Sequence, residues 1–241
     1  MRKYNYGSII LILIVNAIIS GILQNIADGN LSILSGFVAF IFDYIICRGL
    51  LYNREGSFSD YFRGIKTMTG KVFLMNILVG AITVTLILLA TFASGAGFLL
   101  TSYAVNSPKI FISFVVLIAL VTIFTSLLFA YMNFFMADER YRDLPFFDSL
   151  KLILKAGIKL FSESFMAGVK AYKITLLAGV IVLVTGVLAF QTPMAAIITF
   201  IFGIIAAISL FLCTPPFRAS LSDIYMDRSE EIYEEVIGCE D

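Results

Sequence analysis

Six apolar stretches dominate this chain: Gly7 to Ile26, Leu31 to Tyr52, Val72 to Ala96, Ile110 to Met136, Ile174 to Phe190 and Ala195 to Cys213. A helix rises about 1.5 Å per residue, so each stretch can cross roughly 30 Å of hydrocarbon. In lipid every backbone N–H and C=O has to find a partner, which leaves helices and closed barrels. None of the six alternates polar and apolar residues as a barrel strand must. The expected fold is therefore all-α: a polytopic membrane protein of about six transmembrane helices. Residues 1–213 form a single six-helix transmembrane domain, and 214–241 an acidic tail. Composition agrees, at 60 % hydrophobic and 14 % charged residues, where soluble domains run near 45–50 % and 25 %.

The formal net charge is zero, but the signs are segregated along the chain. Ala27 to Asn30, Gly97 to Lys109 and Gln191 to Met194 hold one cation between them, Lys109. The other connections and both termini carry Arg2, Lys3, Arg54, Arg63, Lys66, Lys71, Arg140, Arg142, Lys151, Lys155, Lys159, Lys170, Lys173, Arg218 and Arg228. Lys and Arg are retained in cytoplasmic loops, so the pattern reads N-in and C-in. Tyrosine, an interfacial anchor, gives the same orientation: Tyr4, Tyr6, Tyr52, Tyr131, Tyr141, Tyr172 and Tyr225 fall near the predicted inner ends. Met1-Arg2-Lys3 has the charge of a signal peptide. The long apolar stretch that follows lacks a small-x-small cleavage site and is read as the first span.

There is no histidine. That removes Ser-His-Asp and Cys-His catalysis, imidazole metal sites and His-ligated haem. Cys47, Cys213 and Cys239 match no metal-ligand or CxxC spacing and read as reduced thiols. No GxSxG, P-loop or paired-carboxylate arrangement occurs. No cofactor, metal or nucleic acid is expected.

Three short segments share a pattern: Ser57-Phe58-Ser59-Asp60-Tyr61-Phe62, Pro145-Phe146-Phe147-Asp148-Ser149-Leu150 and Ser220-Leu221-Ser222-Asp223-Ile224-Tyr225. Ser57 to Asp60 and Ser220 to Asp223 fit the Ser-x-x-acid start of a helix, and Pro145 suits a first turn. Phe58, Tyr61, Phe62 and Ile65 then recur at i, i+3, i+4 and i+7, the spacing of an amphipathic interfacial helix. The reading is a threefold repeat of a helical hairpin followed by an amphipathic interfacial helix on the cytoplasmic side.

Arg48-Gly49-Leu50 with Arg54-Glu55-Gly56-Ser57-Phe58-Ser59-Asp60-Tyr61-Phe62-Arg63-Gly64 carries a further signal. So do Phe134-Phe135-Met136-Ala137-Asp138-Glu139 leading to Phe147-Asp148-Ser149-Leu150-Lys151, and the ending Pro215-Pro216 with Ser222-Asp223-Ile224-Tyr225. On these residues the chain resembles a family of poorly characterised bacterial six-helix membrane proteins, which includes the membrane domain attached to some glycerophosphoryl diester phosphodiesterases. The resemblance implies an all-helical fold and brings no catalytic residues. Phosphodiesterase activity is not expected of these residues, which hold no histidine and no metal-binding acid cluster.

Asp43 is the one ionisable residue well inside a predicted span. A carboxylate at a span centre costs roughly 2.5–3.5 kcal/mol on insertion scales, so it should face protein or water. Asn16 lies nine residues from the inner end of its span, as Asp43 lies nine from Tyr52, and a hydrogen bond between the two is feasible. Asp43 reads either as a proton or substrate site or as a polar clamp. Arg48 is expected to snorkel to lipid phosphates. Lys151, Lys155 and Lys159, at i, i+4 and i+8, form a basic stripe suited to anionic lipid or an acidic partner. Glu230, Glu231, Glu234 and Glu235 offer an alternative partner within the molecule. Ala93-Ser94-Gly95-Ala96-Gly97 and the pair Gly179 and Gly186 permit close helix packing.

The expected function is non-enzymatic: an accessory or scaffold subunit of the bacterial cytoplasmic membrane that binds membrane lipid, a protein partner or a second copy of itself. The alternative is a small permease or ion- or proton-coupled transporter using Asp43, and the remaining one an enzyme acting on lipid.

Overall fold

The computed structural model describes residues 2–26, 32–93, 108–189 and 192–238, so 94–97 of the small-residue stretch and Cys239 lie outside the described residues. Among the described residues the regular structure is helical: α1 (Tyr6–Ile26), α2 (Ser32–Tyr52), α3 (Phe58–Arg63), a 3₁₀ turn (Gly64–Thr67), α4 (Gly70–Ala93), α5 (Pro108–Leu128), α6 (Met132–Ala137), α7 (Phe146–Lys159), α8 (Phe161–Ala189) and α9 (Pro193–Val236). Among the described residues six helical stretches are long and apolar enough to cross a membrane, within Tyr6–Asn25, Leu34–Tyr52, Gly70–Ala93, Val115–Ala137, Phe161–Gly186 and Pro193–Val236.

Two elements depart from the sequence reading. The helix expected from Ile174 already begins at Phe161, and its helical geometry breaks at Tyr172 (φ −95°, ψ 16°). The helix expected to end at Cys213 runs on to Val236 through Pro215 and Pro216. Ser220 therefore starts no helix. It sits inside α9, and its hydroxyl donates to the Pro216 carbonyl at 3.0 Å. The prolines remove two amide donors, which alone would favour a break. What carries the helix past them is the buried stripe Leu221, Ser222, Tyr225, Ser229 and Ile232, whose spacing is helical.

The three repeat aspartates also have three different settings. Asp60 accepts the Ser57 amide at 2.9 Å and so caps α3. Asp148 pairs with Lys151 one turn along α7 at 3.6 Å. Asp223 accepts the Arg2 guanidinium at 3.1 Å and the Tyr4 hydroxyl.

The chain divides into two compact units. The first comprises 1–76, 130–171 and 211–241. The largest fully buried side chains belong to it: Tyr44, Tyr61, Tyr131, Tyr225, Phe134 and Phe135 head the set. Tyr225 is their centre, with Phe134 stacked at 5.5 Å and Phe135 edge-on at 4.8 Å between ring centroids. Such pairs add about 0.5–1.5 kcal/mol beyond area burial. Helix α7 turns Ser149, Leu152, Ile153, Ala156 and Gly157 inward, every third or fourth residue, as an amphipathic helix must.

The second unit comprises 77–129 and 172–210. It exposes large apolar side chains along every helix, among them Leu89, Phe92, Leu120, Leu177, Val184 and Phe200. That surface suits hydrocarbon, where apolar burial supplies no drive and hydroxyls need partners. Thr83, Thr85 and Thr185 accordingly donate to carbonyls four residues back at 2.8–2.9 Å. Thr175–Ser209 and Thr199–Thr185 join α8 to α9 at 2.8 Å each. Gly186 faces Thr199 as close packing requires, whereas a Cβ on Gly179 would meet nothing within 4 Å.

Candidate functional site

Asp43, on α2, is not solitary. Arg218 of α9 forms an ion pair with its Oδ1, and Asn133 of α6 donates to its Oδ2 at 2.6 Å. Asn76, in the second turn of α4, donates in turn to Asn133 Oδ1 at 3.2 Å and to its own helix at Val72 O, 2.8 Å. Four segments of the first unit are thus tied by one run of charge-assisted and amide hydrogen bonds. Both members of the ion pair keep about a quarter of their side-chain surface exposed. They border a cleft of about 390 Å³ that Asn16, Asn76 and Asn133 also line.

Asn16 therefore shares the cleft with Asp43, but the two make no direct bond. Its Oδ1 accepts the Ser20 hydroxyl at 3.4 Å, and its amide NH₂ has no partner among the described residues. The remaining lining includes Leu13, Phe40, Phe42, Ile46 and Met132. A larger cleft of about 600 Å³, between α8 and α9 within the same unit, gathers Glu163 and Lys170 with mainly apolar neighbours, and Glu163 is held by Arg228 at 3.4 Å.

Asp43's partners come from near the ends of their own apolar stretches. Asn76 is the seventh residue of α4, Asn133 is four residues from the end of the span Val115–Ala137, and Arg218 lies five beyond the predicted end of the sixth stretch. Asp43 itself lies near the middle of the stretch Leu34–Tyr52, where a charge needs partners, and Arg218 and Asn133, backed by Asn76, supply them. In the last turns of α2 the side chains meet polar loop residues.

Arg48 is one of these. Its guanidinium donates to the Ala137 carbonyl at 2.9 Å and to Glu139 at 2.8 Å, and it lies over the Tyr52 ring at 4.9 Å. Only 13 % of its side chain is exposed, so it is turned onto this loop rather than outward to phosphates. One turn further, Tyr52 donates to Asp138 at 3.2 Å. Asp138 also accepts from Tyr225 at 3.0 Å and from the amide and guanidinium of Arg140 at 3.0 and 2.8 Å. Burial pushes this carboxyl up, but the Arg140 hydrogen bonds and charge, with the Tyr225 phenol, hold it below its usual range. Arg140 continues to Glu230 on α9.

The lysine stripe lies beside the same stretch of α9. Lys155 pairs with Glu235 at 2.7 Å, Lys159 bridges Glu231 and Glu235 at 2.9 and 2.7 Å, and Lys151 reaches Asp148. The Lys159 ammonium is shifted up by Glu235 and then Glu231.

Arg218, Asn133 and Asn76 were not singled out as site residues from the sequence, and Asp138 entered only within the motif that carries the resemblance. The amides carried a signal, since an amide near a span end needs a partner. Arg218 read only as an orientation charge. Comparison with protein-family models, curated proteins and solved structures returns no match to this chain.

Proposed function

We propose that this chain is a non-enzymatic multi-pass protein of the bacterial cytoplasmic membrane, N-in and C-in, that acts as an accessory or scaffold subunit engaging a partner or anionic lipid. The observation that carries this reading is the pairing of Asp43 with both Arg218 and Asn133. A coupled-transport carboxylate has to be free to take up and release its ion within the membrane, and this one is held by a guanidinium and an amide. The resemblance to poorly characterised six-helix membrane proteins, which brings no catalytic residues, points the same way.

The face offered to a partner is built from α7, the loop after α6 and the end of α9. There the cations Lys155, Lys159 and Arg140 are matched by Glu235, Glu231 and Glu230. With these charges already paired within the chain, the face presents alternating signs, and complementary charge on a partner would set orientation and specificity more than raw affinity.

A permease is the second reading, favoured by the polar cleft itself. Proteoliposomes separate the two. Purified protein should give no ion or solute flux above empty vesicles, and Asp43→Asn should leave that baseline unchanged while wild-type protein still captures its partner on an affinity column. Flux that Asp43→Asn abolishes would refute the accessory reading.

A further inference from the structure

The cleft beside Asp43 has a chemical signature of its own. Its ionisable lining is one carboxylate and one guanidinium, Asp43 and Arg218, already apposed, so it carries a dipole and no net charge. Three amides, Asn16, Asn76 and Asn133, border the same space. A simple anion would be repelled by Asp43 and a simple cation by Arg218. A ligand bearing both signs can lie antiparallel to the pair and satisfy each.

Its walls add a second requirement. Leu13, Phe40, Ile46 and Met132 are apolar, while Asn76 and Asn133 lie toward the ends of the stretches Gly70–Ala93 and Val115–Ala137, the side from which a lipid headgroup would enter. At about 390 Å³ the cleft falls within the ordinary range of small-molecule sites.

We infer that this cleft binds the headgroup of a zwitterionic phospholipid with a primary ammonium, of the phosphatidylethanolamine type, its ammonium on Asp43 and its phosphodiester on Arg218 and Asn16. Asp43 has acceptor capacity for this: a carboxylate offers about four lone-pair sites, and Arg218 and Asn133 each occupy one. The Asn16 NH₂, which lacks a partner among the described residues, is a donor for the phosphate. A quaternary choline headgroup has no N–H to give Asp43, and a glycerol headgroup has no cation, so the site distinguishes the three. The inference rests on reading Asp43 as a fixed group and not as one that cycles during transport.

The test uses the full chain in nanodiscs of equal parts phosphatidylethanolamine, phosphatidylcholine and phosphatidylglycerol, extracted into detergent and examined by native mass spectrometry. Retained phosphatidylethanolamine should exceed each other lipid about tenfold, the scale of one charge-assisted hydrogen bond. The double variant Asp43→Asn/Arg218→Gln, which leaves no charge uncompensated, should lose that preference. Asn16→Ala, whose only hydrogen bond among the described residues is to Ser20 of its own helix, should fold normally and retain severalfold less of the lipid. Equal retention of the three lipids by the wild type, or an unchanged preference in both variants, would overturn the proposal. Stabilisation by soluble glycerophosphoethanolamine with no lipid retained would overturn it in favour of a water-soluble zwitterion. Flux measured in proteoliposomes of the same purified protein reports separately, since an Asp43-dependent flux removes the accessory reading whichever lipid is bound.

Discussion

The phenol of Tyr225 donates to the carboxylate of Asp138 at 3.0 Å, joining the far part of α9 to the loop after α6 in the most buried part of the first unit. Tyr52 and Arg140 complete the ring of donors, and only 4 % of the Asp138 side chain is exposed. Replacing Asp138 with Asn leaves Arg140 without its principal partner and gives Tyr225 and Tyr52 a weaker acceptor. A fully buried pair broken on one side loses about 3–5 kcal/mol. Arg140 is nearly half exposed, so Asp138→Asn is expected to cost about 2 kcal/mol by the same reasoning, read as a lower Tm in detergent. Tyr225→Phe should cost about 1 kcal/mol, the worth of one hydrogen bond.

The same carboxylate sets an acid limit. Its folded pKa lies below the usual 3.8, so its stabilisation is complete above that value and disappears as pH falls through the folded one. Tm should hold from neutral pH to about 4 and drop below it. In Asp138→Asn the drop over that window should be shallower. An equal drop in both proteins would assign the acid limit to other groups.

Gly49 on α2 abuts the ring of Tyr61 so closely that any Cβ would overlap it. Tyr61 is fully buried and cannot swing away. Its hydroxyl is also tied to the Arg54 carbonyl at 3.3 Å. Gly49→Ala forces α3 off α2 and should destabilise by about 1–3 kcal/mol, the usual range for overpacking. The double variant Gly49→Ala/Tyr61→Leu should recover part of that loss in thermal melts.

These contacts show what sequence could and could not give. The spans were legible because twenty apolar residues admit few structures in lipid. Ser57 was legible as a helix start because its Ser-x-x-Asp pattern is satisfied within four residues. Ser220 carries the same pattern and starts nothing. Its helix is decided by burial of Leu221, Tyr225 and Ile232 against distant segments, which no local window contains. Asp43 was visible as an anomaly in a span. Arg218, 175 residues away in sequence, could not be named as its partner, because pairing across that separation depends on the packing of four segments.

The lysine stripe offers a chemical readout. Glu235 and Glu231 raise the Lys159 pKa, so at a given pH less of its amine is free to react. Glu231→Gln/Glu235→Gln should bring that pKa down and increase acetylation of Lys159 severalfold at pH 8, measured by peptide mass spectrometry. Lys66, which no ion pair holds among the described residues, serves as the reference. Because these groups are exposed, the difference should shrink in 1 M salt, where the Debye length is about 3 Å. A difference indifferent to salt would mean that the substitutions act by unfolding the end of α9.

Orientation is the last quantity open to direct measurement, and it follows from the distribution of charge. Lys66, in the 3₁₀ turn after α3, and Lys151, on α7, belong to cation-rich connections. Met194, at the start of α9, belongs to a connection between Phe190 and Ala195 that holds no cation and is 70 % exposed. With the three native cysteines replaced by serine, a thiol at position 194 should react with a membrane-impermeant maleimide added to intact cells. Thiols at 66 and 151 should react only after permeabilisation. The expectation depends on the positive-inside bias, which acts through short loops near span ends. The stretch between Ala137 and Lys173 is well under 60 residues and qualifies. Labelling at 66 or 151 from outside intact cells would reverse the topology and move the paired face of α7 and α9 to the opposite side of the membrane.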